Sequence, residues 1–260
     1  MKHLRTSDLA RAVGCHPNTV RRYVERGWLP PVQRGANGYR FFTQKHLDCL
    51  RIARMVYGGT YPGRAFRLSS SKIIQSAVAD DWGGALARAC VHLAFVQAER
   101  AQAETAALLL ERWATGTVSD VAGRPMRIGQ VARLLSVSID VVRSWDRNGF
   151  ITIPRDANNG YRSYGPAEIS RLRIIRMLSR AGFSQMAILR MLLQLDCGIT
   201  TDLRHALDTP RPDEDVYTAA DRWLSTLAEQ EQVALRLVAL IEEISNNRTI
   251  CETSPKRNPL

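Results

Sequence analysis

The stretch VSIDVVRSWDRNGF, residues 137–150, decides the fold predicted for this chain. Ser138 is a residue type that caps helix N-termini, and Gly149 is the type that ends helices in the left-handed conformation. In the segment just upstream, apolar residues recur with helical spacing at Ile128, Val131, Ala132 and Leu135. Two short helices joined by about three residues form a helix-turn-helix.

The next segment, IPRDANNGYRSY (153–164), predicts a β-hairpin wing. Asn-Gly tolerates positive φ at both central turn positions, and short extended arms flank it. Gly165-Pro166 then begins a helix whose buried face carries Ile169, Leu172, Ile175 and Leu178. This helix is expected to stop at Gly182, and Ser184 is expected to cap a further helix.

The same organisation occurs earlier in the chain. A shift of 122 residues aligns 5–65 with 127–187 without a gap, and 16 of the 61 pairs are identical. HPNTVRRYVERG (16–27) corresponds to the second helix, and ANGYRFF (36–42) corresponds to the wing. A gapless match of this length indicates a duplicated domain. The segment 58–71 departs from the pattern, so the fourth helix of the first copy is expected to be late or missing.

Positive charge is concentrated in the two copies. The chain carries a net charge of +11, with +10 in residues 1–67 and +7 in residues 127–194, whereas the two remaining segments are slightly acidic. Concentrated positive charge favours a polyanion through counterion release, so nucleic acid is the first partner to test.

The second copy resembles the DNA-binding domain of the MerR family of bacterial transcription regulators over its whole length. VRxWxxxG, GYRxY and RxxGFSxxxI occur in the family's order and spacing. The first copy resembles it through the helix-turn-helix and wing. The resemblance implies a mainly α fold with two winged helix-turn-helix domains, each with a small β-hairpin wing, and long coiled-coil-type helices. It also implies double-stranded promoter DNA as partner, RNA polymerase indirectly, and activation by distorting DNA.

Candidate DNA-binding residues follow from the motif positions. Arg21 and Arg143, near the start of the second helices, are placed to reach base edges or phosphates. Arg40 and Arg162, behind rigid turns, are candidate phosphate clamps. The tyrosines and the tryptophan either contact DNA or pack against the protein, and the sequence leaves both roles open. For Arg11 and Arg133 the alternative to a DNA contact is a solvated surface charge. The remaining candidates on the same elements are Asn18, Thr19, Arg22, Tyr23, Tyr39, Asp140, Ser144, Trp145 and Tyr161.

Two long helices complete the predicted architecture. The segment 83–114 carries a stripe of mostly small residues at Ala87, Val91, Ala94, Ala98, Ala101, Thr105 and Leu108. The segment 214–246 has a heptad seam at Val216, Ala220, Trp223, Leu227, Gln230, Ala234, Leu237, Ile241 and Ile244. Either the helices pair inside a single-chain pseudo-dimer, or 214–246 pairs between chains in a homodimer. The better heptad favours the homodimer.

The domain boundaries expected from these patterns cover the whole chain. They are winged domains at 1–67 and 125–195, a helical connector at 68–124 containing the long helix, a loop at 196–213, the dimerisation helix at 214–246, and a disordered tail at 247–260.

Other functions find little support in the sequence. No catalytic motif is present, so an enzyme is not expected and no cofactor is implied. The resemblance to metal-sensing family members, which use cysteines near the start of the dimer helix and in the loop beyond it, implies a thiolate metal or redox site at Cys197 and Cys251. Two isolated cysteines nevertheless favour no metal. No segment predicts membrane insertion, which favours a cytoplasmic, nucleoid-associated protein. An architectural DNA-bending or excisionase-like recombination factor remains the alternative to a transcription regulator.

Overall fold

The structure, a computed structural model, describes residues 4–36, 38–59, 62–116, 124–156, 160–210 and 219–253. It consists of two compact units, residues 1–97 with 229–260, and residues 98–228. Helices dominate both units and the only named strands in the described ranges form one two-stranded sheet, so the predicted mainly α fold class is confirmed. No helix among the described residues combines the length and apolarity needed to cross a bilayer.

The first unit begins with a winged helix-turn-helix, here called head 1. Its elements are α1 (Thr6–Ala12), α2 (Pro17–Glu25), β1 (Gln33–Arg34), β2 (Arg40–Phe41), α3 (Gln44–Tyr57) and α4 (Arg64–Val78). The strands are antiparallel, and Leu4 adds a further bridge to Phe42. The expectation that the fourth helix is late or missing was wrong. Helix α4 begins at Arg64, and burial of Phe66, Ile73 and Ile74 stabilises it without the cap sequence of the second copy.

The second unit contains the equivalent head 2. Its helices are α6 (Ile128–Leu134), α7 (Ile139–Arg147), α8 (Pro166–Arg180) and α9 (Gln185–Asp196). Antiparallel bridges join Arg155 to Arg162 and Met126 to Tyr164, in the positions of the head 1 sheet and edge bridge. The predicted helix caps are present, because Ser138 and Ser184 accept hydrogen bonds from backbone N–H groups at the starts of α7 and α9.

Helix α5 (Trp82–Ala114) buries a different face from the predicted one. Every residue of the predicted stripe is exposed, namely Ala87, Val91, Ala94, Ala98, Ala101, Thr105 and Leu108. The buried face carries Trp82, Ala85, Ala89, His92, Val96, Ala103, Ala106 and Leu110. These positions also recur in steps of three, four and seven, and they include the larger Trp, His and Leu side chains. Because alanine occurs all round this helix, small-residue spacing did not identify the buried face.

Within the first unit, α5 pairs in antiparallel orientation with helix α11 (Trp223–Thr253). The start of α5 meets the end of α11, where Arg248 lies 4.6 Å from the Trp82 ring centroid. Farther along, the Gln97 amide donates to Glu231 at 3.0 Å. Leu237, Ile241 and Ile244 pack in the head 1 core with Ala85 and Ala89.

The heptad seam of α11 is therefore covered from within the chain. Trp223, Leu227, Ala234, Leu237, Ile241 and Ile244 are all buried in the single polypeptide. Val216, which was predicted to begin the seam, lies outside the described residues. A second copy that paired through 214–246 would need this same apolar face.

Two predicted boundaries near the C-terminus need correction. The expected loop 196–213 contains helix α10 (Leu203–Asp208), which buries Leu203, Ala206 and Leu207. Arg190 of α9, itself buried, donates to the Ala206 carbonyl at 2.6 Å and so fixes this short helix. The tail expected from 247 is helical as far as Thr253.

A close contact joins head 2 to the start of α11 inside the second unit. Gly182 follows α8 with φ +91°, and the Trp223 indole lies directly against it. The indole nitrogen donates to the Ala181 carbonyl at 2.7 Å. Ser184 extends the junction by donating from its hydroxyl to Asp221.

Candidate nucleic-acid interface

The helices α2 and α7 hold their arginines in matching positions. Arg21 Nη1 donates to the Asn18 side-chain oxygen at 3.0 Å, and Arg143 Nη1 donates to Asp140 Oδ1 at 3.3 Å. Each contact spans one helical turn, so the guanidinium stays extended along an exposed face. This geometry presents charge-assisted donors to a ligand outside the protein.

Most of the predicted site residues have accessible side chains. Tyr39 and Tyr161 are 70% and 66% exposed, unusually high for tyrosine. Those that are exposed or half-exposed are Arg11, Asn18, Thr19, Arg21, Arg22, Tyr39, Arg40, Arg133, Asp140, Arg143, Ser144, Tyr161 and Arg162.

Two predicted DNA contacts were wrong. Tyr23 is 3% exposed and Trp145, its equivalent 122 residues later, is 5% exposed. Tyr23 packs edge-on against Trp28 with ring centroids 4.9 Å apart. Both rings occupy the inward face of an amphipathic helix, where burial of a large aromatic surface is worth more than a contact from the outer face. Packing was the alternative left open, and it is the correct one.

The wings place Arg40 and Arg162 behind closed turns. In head 1 the Gly35 amide donates to the Tyr39 carbonyl at 3.0 Å. In head 2 the Asp156 amide donates to the Tyr161 carbonyl at 2.8 Å. Gly38 and Gly160 both have φ near +70°, as the Asn-Gly pattern predicted. Asn37 and residues 157–159 lie outside the described residues.

The two wings differ in the charge around their arginines. Arg162 Nε and Nη2 reach Asp146 Oδ2 of helix α7 at 2.8 and 2.6 Å. The equivalent of Asp146 in head 1 is Val24, and no ion pair of Arg40 is found among the described residues. Head 2 therefore neutralises its wing arginine, whereas head 1 leaves the corresponding charge available.

The sequence analysis did not single out Asp146, which pairs with the wing arginine of head 2. The alignment of the two copies did contain a signal, because it places this carboxylate opposite an apolar valine. It also missed Arg127, whose guanidinium carbon lies 5.8 Å from the Tyr161 ring centroid. At this distance a cation–π contact orients the exposed ring.

Residues behind the wing also differ between the copies. Tyr164 is fully buried at the position of Phe42, and its hydroxyl has no hydrogen-bond partner among the described residues. Burial raises the pKa of this phenol. The aromatic ring at this position therefore supports the wing through packing.

The cysteines do not assemble a metal site in the described part of the chain. No group of three or more His, Cys, Asp or Glu with suitable geometry occurs there. Cys197 is exposed, and the side chain of Cys251 lies outside the description. Cys49 is buried, and desolvation raises its pKa to about 12, so this thiol stays protonated at neutral pH.

Comparison with known proteins matches both heads. The family model described as MerR HTH family regulatory protein matches residues 4–57 and 126–195. The HTH-type transcriptional regulator CueR of Salmonella typhi is 44% identical over 48 residues, which is 18% of this chain and 35% of that protein. The mercuric resistance operon regulatory protein of Serratia marcescens is 33% identical over 73 residues, which is 28% of this chain and 50% of that protein.

A third relative is the HTH-type transcriptional repressor CarH of Myxococcus xanthus, 27% identical over 99 residues. That match covers 37% of this chain and 33% of the relative. The chain therefore spans about a third of the length of CueR and of CarH. No solved structure gave a significant match.

Proposed function

Because this chain belongs to the MerR family and carries two of its helix-turn-helix domains in tandem, we propose that it is a sequence-specific DNA-binding transcription regulator. One observation carries the proposal: an exposed arginine on the second helix and a partly or fully exposed arginine on the wing recur in both heads, 122 residues apart. A helix in the major groove reads base edges, and wing arginines bind the backbone. The protein acts on RNA polymerase indirectly, by distorting promoter DNA.

We further propose that one chain supplies both DNA-binding heads of a complex. In each compact unit, a head packs with parts of both long helices, and the α11 seam is buried inside the chain. A related protein with one head per chain would need two copies to provide the same set of elements. The single-chain pseudo-dimer is therefore favoured over the homodimer with four heads.

The test is binding to duplex DNA selected from the genome, followed by footprinting and light scattering. The expected result is a footprint within a promoter and one polypeptide per operator, with affinity falling steeply as salt rises. A protein that ignores every promoter fragment at modest ionic strength would overturn the proposal. A footprint confined to recombination sites would instead support the architectural alternative.

Arg143→Ala is expected to weaken operator binding by about 1–3 kcal/mol and to relax sequence preference. The reason is that Arg143 is exposed on helix α7, the second helix of the helix-turn-helix, from which a guanidinium reaches base edges. Fluorescence anisotropy with the operator and with single-base variants measures both effects. Arg88→Ala on helix α5 is the matched control, because it removes an exposed positive charge outside the heads. Equal losses in the two variants would contradict this role.

Asp146→Asn and Arg162→Ala are expected to change operator affinity in opposite directions. Removing the Asp146 charge releases the Arg162 guanidinium, so binding should strengthen by about 0.5–1 kcal/mol, the value of a part-exposed ion pair. Arg162→Ala should weaken binding to all sequences alike and flatten the plot of log affinity against log salt by less than about one unit, because Asp146 already offsets part of this charge.

A salt titration of each variant provides the measurement. Arg40→Ala in head 1 is the comparison, and it should cost more than Arg162→Ala because no carboxylate occupies the position of Asp146 there. If Asp146→Asn weakened binding, the carboxylate would have a positioning role and this proposal for the wing would be wrong.

A further inference from the structure

A cleft in the second unit lies between helices α5, α6 and α8. Its volume is about 680 Å³. Clefts of several hundred Å³ are the usual size for small-molecule sites. The end of α6 and the length of α8 form this side of head 2. Neither Asp146 nor Arg162, the ion pair at the wing, lines the cleft.

The lining of this cleft is largely apolar although it is open to solvent. Leu109 is 39% exposed and Leu134 is 43% exposed, and Met177 and Ala106 continue the same surface. Exposed leucines clustered in a concave surface are a feature of binding sites rather than of ordinary monomer surface.

Three arginines of α8 border the apolar surface. Arg173, Arg176 and Arg180 lie three and four residues apart, on one side of the helix. Arg176 is held by the Leu135 and Ser136 carbonyls at 3.2 and 3.4 Å. No Asp or Glu occurs among the described residues that line the cleft. The cleft therefore combines an apolar surface with uncompensated positive charge.

Head 1 provides an internal comparison for this arrangement. Arg51 is the equivalent of Arg173, and it pairs with Glu243 of helix α11 at 3.8 Å. Gly58 replaces Arg180 at the third position. Head 1 therefore pairs the first of these positive charges with a carboxylate and lacks the third. Head 2 keeps both charges, and the part of α5 that faces them carries neutral residues such as Thr105.

We propose that this cleft binds a small organic anion with an apolar body, such as a medium-chain carboxylate. The anionic group pairs with Arg173 and Arg180, and the apolar body covers Leu109, Leu134 and Met177. Burial of the ligand's hydrocarbon supplies affinity, and the arginines select the charge. The inference does not depend on the proposed DNA-binding function, because it uses a different surface of head 2.

The experiment uses the full chain and the fluorescent probe 1-anilinonaphthalene-8-sulfonate, which has an aromatic body and a sulfonate. One probe per chain is expected to bind, and decanoate is expected to displace it whereas decanol does not. Arg173→Gln and Arg180→Gln should each weaken probe binding about tenfold, as expected for loss of a charge-assisted contact. Thr105→Trp, which fills the cleft from an exposed position, should abolish it.

Arg51→Gln in head 1 is the matched control and should leave probe binding unchanged. Circular dichroism melts of each variant verify folding, and operator affinity measured on the same samples separates this inference from the DNA-binding proposal. Equal displacement by decanol and decanoate, or unchanged probe binding in the Arg173, Arg180 and Thr105 variants, would overturn it. Displacement by a non-specific DNA duplex alone would also overturn it and would assign the arginines to the DNA backbone.

Discussion

Gly182→Ala is expected to lower the free energy of unfolding of the second unit by about 3 kcal/mol. An alanine Cβ at this position would lie 2.7 Å from Trp223 Nε1 and 2.8 Å from two carbons of the indole. Trp223 cannot withdraw, because it is buried and its nitrogen donates to the Ala181 carbonyl. Overpacking a filled site costs about 1–3 kcal/mol, and a left-handed alanine adds roughly 1–2 kcal/mol.

Gly149→Ala is the matched control for the steric part of this effect. Gly149 also has a left-handed backbone, with φ +76°, but nothing lies within 4 Å of the position its Cβ would take. This variant should lose only the roughly 1–2 kcal/mol that comes from backbone strain. Urea melts followed by tryptophan fluorescence measure both variants. If the two substitutions destabilised equally, the packing of Trp223 against Gly182 would not contribute as described.

The sequence alone predicted the local structure of both heads except helix α4 of head 1, because most helices there begin and end at residues that cap or stop a helix. Ser138, Gly149 and Ser184 act through their immediate neighbours, so their roles do not depend on tertiary contacts. Pro17 and Gly27 act in the same way in head 1. The first and last residues of a helix can therefore be predicted from sequence wherever a capping residue or a left-handed glycine marks them.

The face that α5 buries could not be predicted in the same way. Alanine, valine and leucine occur on all sides of this helix, so several stripes have helical spacing. Which stripe is buried depends on the partner, and that partner, α11, lies more than a hundred residues later in the chain. Tyr23 and Trp145 show the same limitation at the candidate site. Their residue types and their positions on the second helices fit either a DNA contact or packing, and only the core around them distinguishes the two.

The ion pair that partly neutralises the proposed DNA-binding surface was equally hidden when each residue was considered alone. Asp146 precedes Arg162 by sixteen residues and belongs to another element, so no local pattern connects them. The pairing arises only when the wing folds back beside α7. Comparison of the duplicated domains shows that this contact is specific to head 2, because Val24 is the uncharged counterpart of Asp146 in the same chain.

Disabling either head is expected to reduce operator affinity about a hundredfold or more, the largest effect on binding. Arg21→Ala with Arg40→Ala removes the helix and wing arginines of head 1, and Arg143→Ala with Arg162→Ala does so in head 2. When both heads are on one chain, binding of the first head to DNA holds the second head near its half-site at a high effective concentration. Disabling one head therefore removes the whole gain in affinity that comes from this linkage. Fluorescence anisotropy with a full operator and with isolated half-sites measures this gain directly.

Mixing the two disabled proteins then distinguishes DNA binding by a single chain from DNA binding by paired chains. If one chain supplies both heads, every molecule in the mixture still has a single working head, and full-operator affinity stays as low as for either variant alone. If chains pair through 214–246, mixed pairs hold one intact head of each kind, and binding recovers toward the wild-type value. The buried seam of Leu227, Leu237 and Ile241 predicts no recovery, since it has no free apolar face for a second copy. Recovery on mixing would require α11 to release those residues from its own core.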